Sequence, residues 1–108
     1  MNSQNEQLPI PHPGETLLED FMKPLKLTVN RLARELGVHP DTVGGIVRGR
    51  RSVTPAIALR LARYTGTSPE FWLGLQEDFD LRHAQRKMSR RIEREVKPCP
   101  LLKAVAAA

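Results

Sequence analysis

The chain has 108 residues, 40% of them hydrophobic, which suffices for one domain with one modest core. Its lone cysteine, Cys99, forms no internal disulfide, no His or Cys set has metal-ligand spacing, and no segment could cross a membrane, so we expect a cytosolic protein without a cofactor. The formal net charge is +5, with residues 28–67 (+5) and 82–108 (+6) basic and residues 1–27 (−2) and 68–81 (−4) acidic, and this distribution favours a polyanionic partner such as nucleic acid.

The predicted elements are five helices, and most of them begin where a residue is followed by proline. Residues 1–11 are polar and without periodicity, so we expect a disordered arm there. Proline suits the first helical position because its missing N–H would be unpaired there in any case. Helix starts with this signature lie at His12, His39, Thr54 and Ser68. The second helix instead has Thr28 as its N-cap, and no segment shows the alternation of a strand, so the predicted fold class is all-α.

The first helix is expected to stop close to Pro24. Because the residue before a proline is disfavoured in the α region, Lys23 should end or distort this helix. Its apolar stripe, which we expect to face the core, comprises Leu17, Leu18, Phe21 and Met22.

Residues 28–51, TVNRLARELGVHPDTVGGIVRGRR, have the pattern of a helix-turn-helix. Gly37 supplies the positive φ that a tight turn needs after the second helix, and the small Ala33 lets the third helix cross closely. The apolar positions that join the two helices are Leu32, Leu36, Val38, Val43 and Ile46. A plain two-helix corner of an all-α domain would use the same residue types, but the surrounding arginines favour the helix-turn-helix.

The fifth helix begins at Ser68, and beyond Leu81 its apolar stripe fades into a basic sequence. We therefore assign residues 12–84 to the helix-turn-helix domain and residues 85–108 to a basic helical extension with a loose tail. Aromatic residues at helical spacing in a small domain are usually core, although one of them could be shared with a second subunit. The stripe of this helix comprises Trp72, Leu75 and Phe79.

Two motifs flank the helix-turn-helix, HPGE at residues 12–15 and SPEFWL at residues 68–73. With them, about residues 12–84 resemble the HigA-type antitoxins of the Cro/repressor-like (lambda-repressor-like) helix-turn-helix group. The resemblance implies a dimeric DNA-binding antitoxin that represses its own promoter and neutralises a partner toxin, a HigB-type ribonuclease that cleaves mRNA. The chain departs from the family pattern in its basic tail and at Gly44 and Gly45, where relatives more often carry polar side chains.

The third helix is the predicted recognition helix, whose N-terminal and outward residues would face base edges in the major groove of double-stranded DNA. Asp41 could accept from a cytosine amino group or simply complement the helix dipole. Thr42 could contact a thymine methyl group or a phosphate, and His39 could be an N-cap or a base contact. The base-reading candidates are His39, Asp41, Thr42, Gly44, Gly45 and Arg48.

Two adjacent glycines in this short helix each cost ~1 kcal/mol of helix stability relative to alanine. Either Gly44 and Gly45 are structurally idle, or they let the helix backbone approach the floor of the groove more closely than side chains allow. We expect the second, because close approach is what glycine supplies.

The arginines around the end of the recognition helix are expected to contact DNA phosphates. Arg48 would also suit the negative end of the helix dipole in any protein, whereas Arg50 and Arg51 lie beyond Gly49. Backbone N–H groups at the start of the fourth helix could bind a phosphate as well. The phosphate-contact candidates are Thr28, Arg31, Arg50, Arg51 and Thr54.

One recognition helix and a short basic block give too few contacts for a tight monomer, so we expect a homodimer on an inverted-repeat operator. The acidic residues are either solvated surface or a docking surface for a basic toxin, as a ribonuclease that acts on RNA would be. The candidates for a toxin or dimer interface are Glu15, Glu19, Asp20, Trp72 and Phe79.

Three functions remain open from the residues. The chain is a repressor that is also an antitoxin, a free-standing regulator without a toxin, or an interaction module that does not bind DNA. An enzyme is not expected, because no nucleophile and base, metal-ligand set or phosphate-binding glycine loop is present. We favour the first function, and co-purification with the product of the adjacent reading frame would separate it from the second.

Overall fold

The computed structural model describes residues 8–102, which form five helices and no strand, so the predicted all-α fold is confirmed. The first helix, α1, begins as an α-helical turn, Pro13–Thr16, and continues as a π-helix, Leu17–Met22. The others are α2 (Val29–Leu36), α3 (Pro40–Val47), α4 (Pro55–Thr65) and α5 (Pro69–Glu95). None of these described helices is both long and apolar enough to cross a lipid bilayer. The predicted arm and loose tail lie mostly outside the described residues and stay predictions.

All five helices start where the sequence predicts, and each has a side-chain N-cap. Such a cap pairs one of the backbone N–H groups that the first turn of a helix leaves without a partner. The capping atoms and the amides they accept from are His12 Nδ1 from Gly14 (2.9 Å), Thr28 Oγ1 from Arg31 (3.1 Å), His39 Nδ1 from Asp41 (3.1 Å), Thr54 Oγ1 from Ile57 (3.3 Å) and Ser68 Oγ from Phe71 (3.1 Å). Local sequence signals therefore fix where the helices begin.

The second half of α1 differs from the prediction, because its backbone hydrogen bonds span five residues instead of four. The amide of Lys23 donates to the carbonyl of Leu18 (2.9 Å), and the amide of Leu27 donates to that of Met22 (2.8 Å). Lys23 keeps α-region angles (φ −63°, ψ −50°), so the expectation that Pro24 pushes it out of this region is wrong. The helix does end at Met22, and its distortion takes the form of a π-helix.

The core lies between the helices and contains Trp72 of α5, whose side chain is fully buried. Its indole N–H donates to Thr67 Oγ1 (2.8 Å), so the polar atom of this side chain is paired. Tyr64 of α4 is exposed, and its hydroxyl donates to Glu35 Oε1 (2.9 Å). The predicted core residues that are buried are Leu17, Met22, Leu32, Leu36, Val43 and Ile46, and Leu61 of α4 is buried with them.

A buried polar side chain, Gln76, connects α5 to the loop between α3 and α4. Its Oε1 accepts from the amide of Val53 (2.8 Å), and its Nε2 donates to Asp80 Oδ1 (2.9 Å). Leaving a buried polar group unpaired costs about 1–3 kcal/mol, so this residue stabilises the loop beyond α3 as well as the core. Gln76 is not among the residues that the sequence predicts to be buried.

Candidate nucleic-acid interface

The turn between α2 and α3 has the geometry that the helix-turn-helix pattern predicts. Gly37 lies in the left-handed region (φ 73°, ψ 34°), which glycine adopts without steric cost. The amide of Val38 donates to the carbonyl of Ala33 (2.9 Å) and so closes the end of α2. Ala33 is 1% exposed, and a larger side chain there would push α3 away from α2.

One face of α3 packs on the core, and the opposite face is turned outward. Val43 and Ile46 are each 2% exposed and belong to the inner face. Because an α-helix turns once every 3.6 residues, Asp41, Gly45 and Arg48 share the outer face. Both side chains on that face, of Asp41 and Arg48, are exposed. This is the face that a helix-turn-helix protein presents to the major groove.

Arginine side chains cover the two glycines of α3. A Cβ at Gly45 would lie 2.7 and 2.8 Å from Cγ and Cδ of Arg51, and one at Gly44 would lie 3.0 Å from Nη1 of Arg48. The guanidinium of Arg51 continues along α3, where its Nη1 donates to Thr42 Oγ1 (3.3 Å). Both glycines are buried under these side chains, so a close approach of the helix backbone to the groove floor would require Arg48 and Arg51 to move, and that expectation stays a prediction.

Residues 48–51, which we call the arginine turn, reverse the chain at the end of α3. Gly49 supplies the positive φ (74°) that this reversal needs. The amides of Arg50 and Arg51 then both donate to the carbonyl of Gly45, at 2.8 and 3.1 Å. The three arginines of this turn are exposed, and the side chains of Arg48 and Arg51 run back along α3 over Gly44 and Gly45.

His39 is the N-cap of α3, one of the two roles considered for it. Its Nδ1 accepts from the amide of Asp41 (3.1 Å), so Nε2 is the ring nitrogen that carries the proton in the neutral side chain. Asp41 lies in the first turn, where a carboxylate complements the helix dipole, and it is exposed. Its dipole role is compatible with a contact to a base, and its base-reading role stays a prediction.

The remaining phosphate-contact candidates lie at helix N-termini and are exposed. The hydroxyls of Thr28 and Thr54 serve as N-caps of α2 and α4. Arg31 lies in the first turn of α2 with its side chain on the surface. Helix N-termini and guanidinium groups both attract phosphate, so these assignments stay predictions with a clear physical basis.

The junction that holds the arginine turn, where α1 and α5 meet the end of α3, is not predicted by the sequence patterns. A Cβ at Gly14 would overlap the carbonyl oxygen of Ile46 and lie 2.6 Å from its carbonyl carbon, so only glycine lets α1 come this close. A Cβ at Gly49 would lie 3.7 Å from the ring of His12, which packs edge-on against Phe79 with 4.7 Å between centroids. His12 and Gly14 belong to the HPGE motif, which predicts a helix start and carries part of the family resemblance but does not indicate these contacts.

His12 titrates inside this junction. Burial lowers the pKa of its ring below the ordinary value of 6.5, and this effect outweighs the Asp80 carboxylate, a hydrogen bond with the Arg51 backbone and the Glu15 carboxylate, all of which act to raise it. Because Nδ1 accepts from the amide of Gly14, a proton added there would break the N-cap of α1. The junction is therefore built around neutral His12.

Among the interface candidates, the two aromatic residues pack inside the chain. Trp72 is fully buried, so its assignment to a toxin or dimer interface is wrong, because no part of it remains to touch a partner. Phe79 is half-buried between His12 and His83, at centroid distances of 4.7 and 4.4 Å. The acidic candidates, by contrast, are exposed on α1: Glu15, Glu19 and Asp20.

An outward recognition helix that ends in a basic turn defines a helix-turn-helix DNA-binding protein. Residues 18–72 match the helix-turn-helix family. Virulence-associated protein I of Dichelobacter nodosus is 41% identical over 80 residues, a stretch that covers 74% of this chain and 74% of that protein.

Solved structures of antitoxins are similar over most of the chain. Pseudomonas aeruginosa antitoxin HigA with the higBA promoter is 38% identical, with a TM-score of 0.81, over 83% of this chain and 98% of that one. An addiction module antidote protein of a HigA family from Coxiella burnetii is 42% identical, with a TM-score of 0.80, over 85% and 100%. The chain belongs to the helix-turn-helix family, among the HigA-type antitoxins, which are DNA-binding proteins and not enzymes.

Proposed function

We propose that this protein is an autorepressing antitoxin. As a homodimer it binds an inverted-repeat operator in the promoter of its own toxin–antitoxin genes, and it neutralises a HigB-type ribonuclease toxin. The observation that carries the proposal is the arginine turn at the outer end of α3, in a chain similar to an antitoxin solved with its promoter. The proposal places the protein in the cytoplasm, where the promoter and the toxin would be.

Affinity for DNA comes from the exposed guanidinium groups of the arginine turn. Arg48 and Arg50 lie at the end of α3, next to the surface that enters the groove, and there they can pair with phosphates on its edge. Each phosphate neutralised releases counterions, so binding should weaken steeply as salt is added. The surface of α3 that can contact bases is small, because two positions of this helix are glycine.

The small size of this surface supports dimerisation. Each chain has one recognition helix of eight residues, which can read only a few base pairs. Two copies related by a two-fold axis place their recognition helices in successive major grooves, and the operator then has matching symmetry. This supports an inverted repeat as the target.

The toxin contact is proposed for the acidic surface of α1. Glu15 and Asp20 are exposed there, and Glu19 is exposed while it pairs with Lys23 (2.7 Å). A ribonuclease must attract RNA and therefore tends to be basic, so opposite charge would steer it to this surface. The antitoxin identity of the similar structures supports such a partner.

The DNA part of the proposal is tested by titrating the promoter duplex and a scrambled duplex at several salt concentrations. Arg50→Ala is expected to weaken binding to both duplexes and to reduce the salt slope by about one, as the loss of one phosphate contact does. Arg63→Ala, which removes an exposed arginine from the last turn of α4, is the matched control and should change neither quantity. An effect of Arg50→Ala on a single base position would contradict its role at a phosphate.

The toxin part is tested by co-expression with the adjacent reading frame. We expect its product to co-purify with the antitoxin and to arrest growth when expressed alone. A protein that binds its promoter yet retains no such product would be a free-standing regulator instead.

A further inference from the structure

We propose that Arg51 reads a guanine in the major groove, in place of the side chain that α3 lacks at Gly45. The inference rests on the DNA binding by α3 proposed above, and it assigns the group within that site that recognises sequence. It also changes the role of Arg51, which the sequence placed among the phosphate contacts.

The position of Arg51 on the recognition helix is the first argument. Gly45 lies on the outward face of α3 between Asp41 and Arg48, where a side chain would contact base edges. The space above Gly45 is filled by the stem of Arg51, whose Cγ and Cδ lie 2.7 and 2.8 Å from the position of a Cβ. No real Cβ tolerates such distances, so only glycine at this position admits the observed path of the arginine.

The fixation of Arg51 at both ends is the second argument. Its amide donates to the carbonyl of Gly45 (3.1 Å), and its guanidinium donates from Nη1 to Thr42 Oγ1 (3.3 Å). The guanidinium is thereby held along the N-terminal half of α3, the part of a recognition helix that approaches base edges. An arginine held in place before binding loses less conformational freedom when it meets its base.

The chemistry of the surface is the third argument. Arginine suits guanine because its planar fork donates two parallel hydrogen bonds to O6 and N7. In the first turn of α3, Pro40 has no N–H donor and the Asp41 carboxylate only accepts, so neither can donate to guanine. The bond to Thr42 uses one donor, and the guanidinium keeps further N–H groups for a base.

The inference is tested by titrating promoter duplexes that carry every single base-pair substitution across one half-site. Wild-type protein is expected to lose roughly 10- to 100-fold in affinity when the contacted guanine is replaced. Arg51→Lys keeps the charge but not the fork, so it should lose the preference for that guanine while its salt slope stays unchanged. Gly45→Ala should lose the same preference, because its Cβ displaces the stem of Arg51.

Gly44→Ala is the matched control for the glycine variant. The atoms nearest to its Cβ would be those of the Arg48 guanidinium, the flexible end of that side chain, at 3.0 to 3.5 Å, so the preference for the guanine should remain. The double variant Gly45→Ala/Arg51→Lys should lose no more than either single variant, because both changes remove the same contact. Thermal unfolding of each variant establishes that it is folded.

Two results would overturn the inference: an equal loss of affinity for all duplexes in both variants, or an unchanged preference for guanine. Failure of wild-type protein to prefer its promoter over the scrambled duplex would refute the proposed function instead. The two failures are therefore distinguishable in the same titration.

Discussion

Gly14 and Gly74 differ in what surrounds them, although both are helical glycines. A methyl group at Gly14 would collide with the backbone of Ile46, where α1 meets α3, whereas a methyl group at Gly74 would meet nothing within 4 Å. Protein interiors are packed as densely as organic crystals, so the backbone of Ile46 cannot move aside for a methyl group at Gly14. A methyl group at Gly74 would enter open space. The same substitution should therefore have opposite effects at the two sites.

Gly14→Ala is expected to lower the free energy of unfolding by about 1–3 kcal/mol or more, because overpacking forces α1 away from α3. Gly74→Ala, the matched control in α5, should raise it by up to about 1 kcal/mol through helix propensity. Urea unfolding followed by the fluorescence of the buried Trp72 measures both changes. Similar midpoints for the two variants would show that the contact between α1 and α3 is not tight.

His12 should make the stability of the junction depend on pH. Because burial lowers its pKa below 6.5, the folded chain binds fewer protons than the unfolded chain just below that pH. Its contribution is fully present above pH 6.5 and decreases as the pH falls from there through the folded pKa. His12→Asn keeps an N-cap without a titrating ring, so the variant should lose less stability on acidification. Parallel stability curves for the two proteins between about pH 7 and pH 5 would contradict this.

At the scale of helices, α5 divides into a packed half and a projecting half. Trp72 and Gln76 are buried in the first half, whereas every residue from Ala84 to Glu95 is exposed. Within the projecting half, Arg91 pairs with Glu95 (3.0 Å), one turn further along the same helix. Such pairs and helix propensity, rather than core packing, support this part of the helix.

Truncation after Ala84 should therefore leave the fold intact. The expected melting temperature of the truncated protein lies within a few degrees of the full chain, because little buried apolar surface is removed. Loss of cooperative unfolding would show instead that the extension belongs to the core or to a dimer interface. A loss of DNA affinity confined to low salt would assign non-specific phosphate contacts to the extension.

For the whole molecule, the helices could be predicted because their signals are local. The hydroxyl of Thr28 accepts a hydrogen bond from an amide only three residues away, and Gly37 needs only its own backbone to adopt a positive φ. Both signals therefore lie within a short stretch of sequence. The spacing of Leu32, Leu36, Val43 and Ile46 likewise reports the inner faces of two adjacent helices.

The site could be predicted only in outline, because its details depend on residues from different elements. The overlap that excludes a side chain at Gly14 involves Ile46 of another helix, and backbone contacts of this kind leave no periodicity in the sequence. The path of Arg51 over Gly45 likewise depends on the turn that joins them. The charge distribution pointed to the exposed arginines around the end of α3, but it could not assign each of them to a phosphate or a base.

The most direct test of DNA recognition by a symmetric dimer is a hydroxyl-radical footprint of the protein on its own promoter. Two recognition helices in successive major grooves should protect two inverted half-sites on one face of the duplex, with centres about 10 base pairs apart. Protection of a single unrepeated half-site, or no protection that distinguishes the promoter from other DNA, would contradict it.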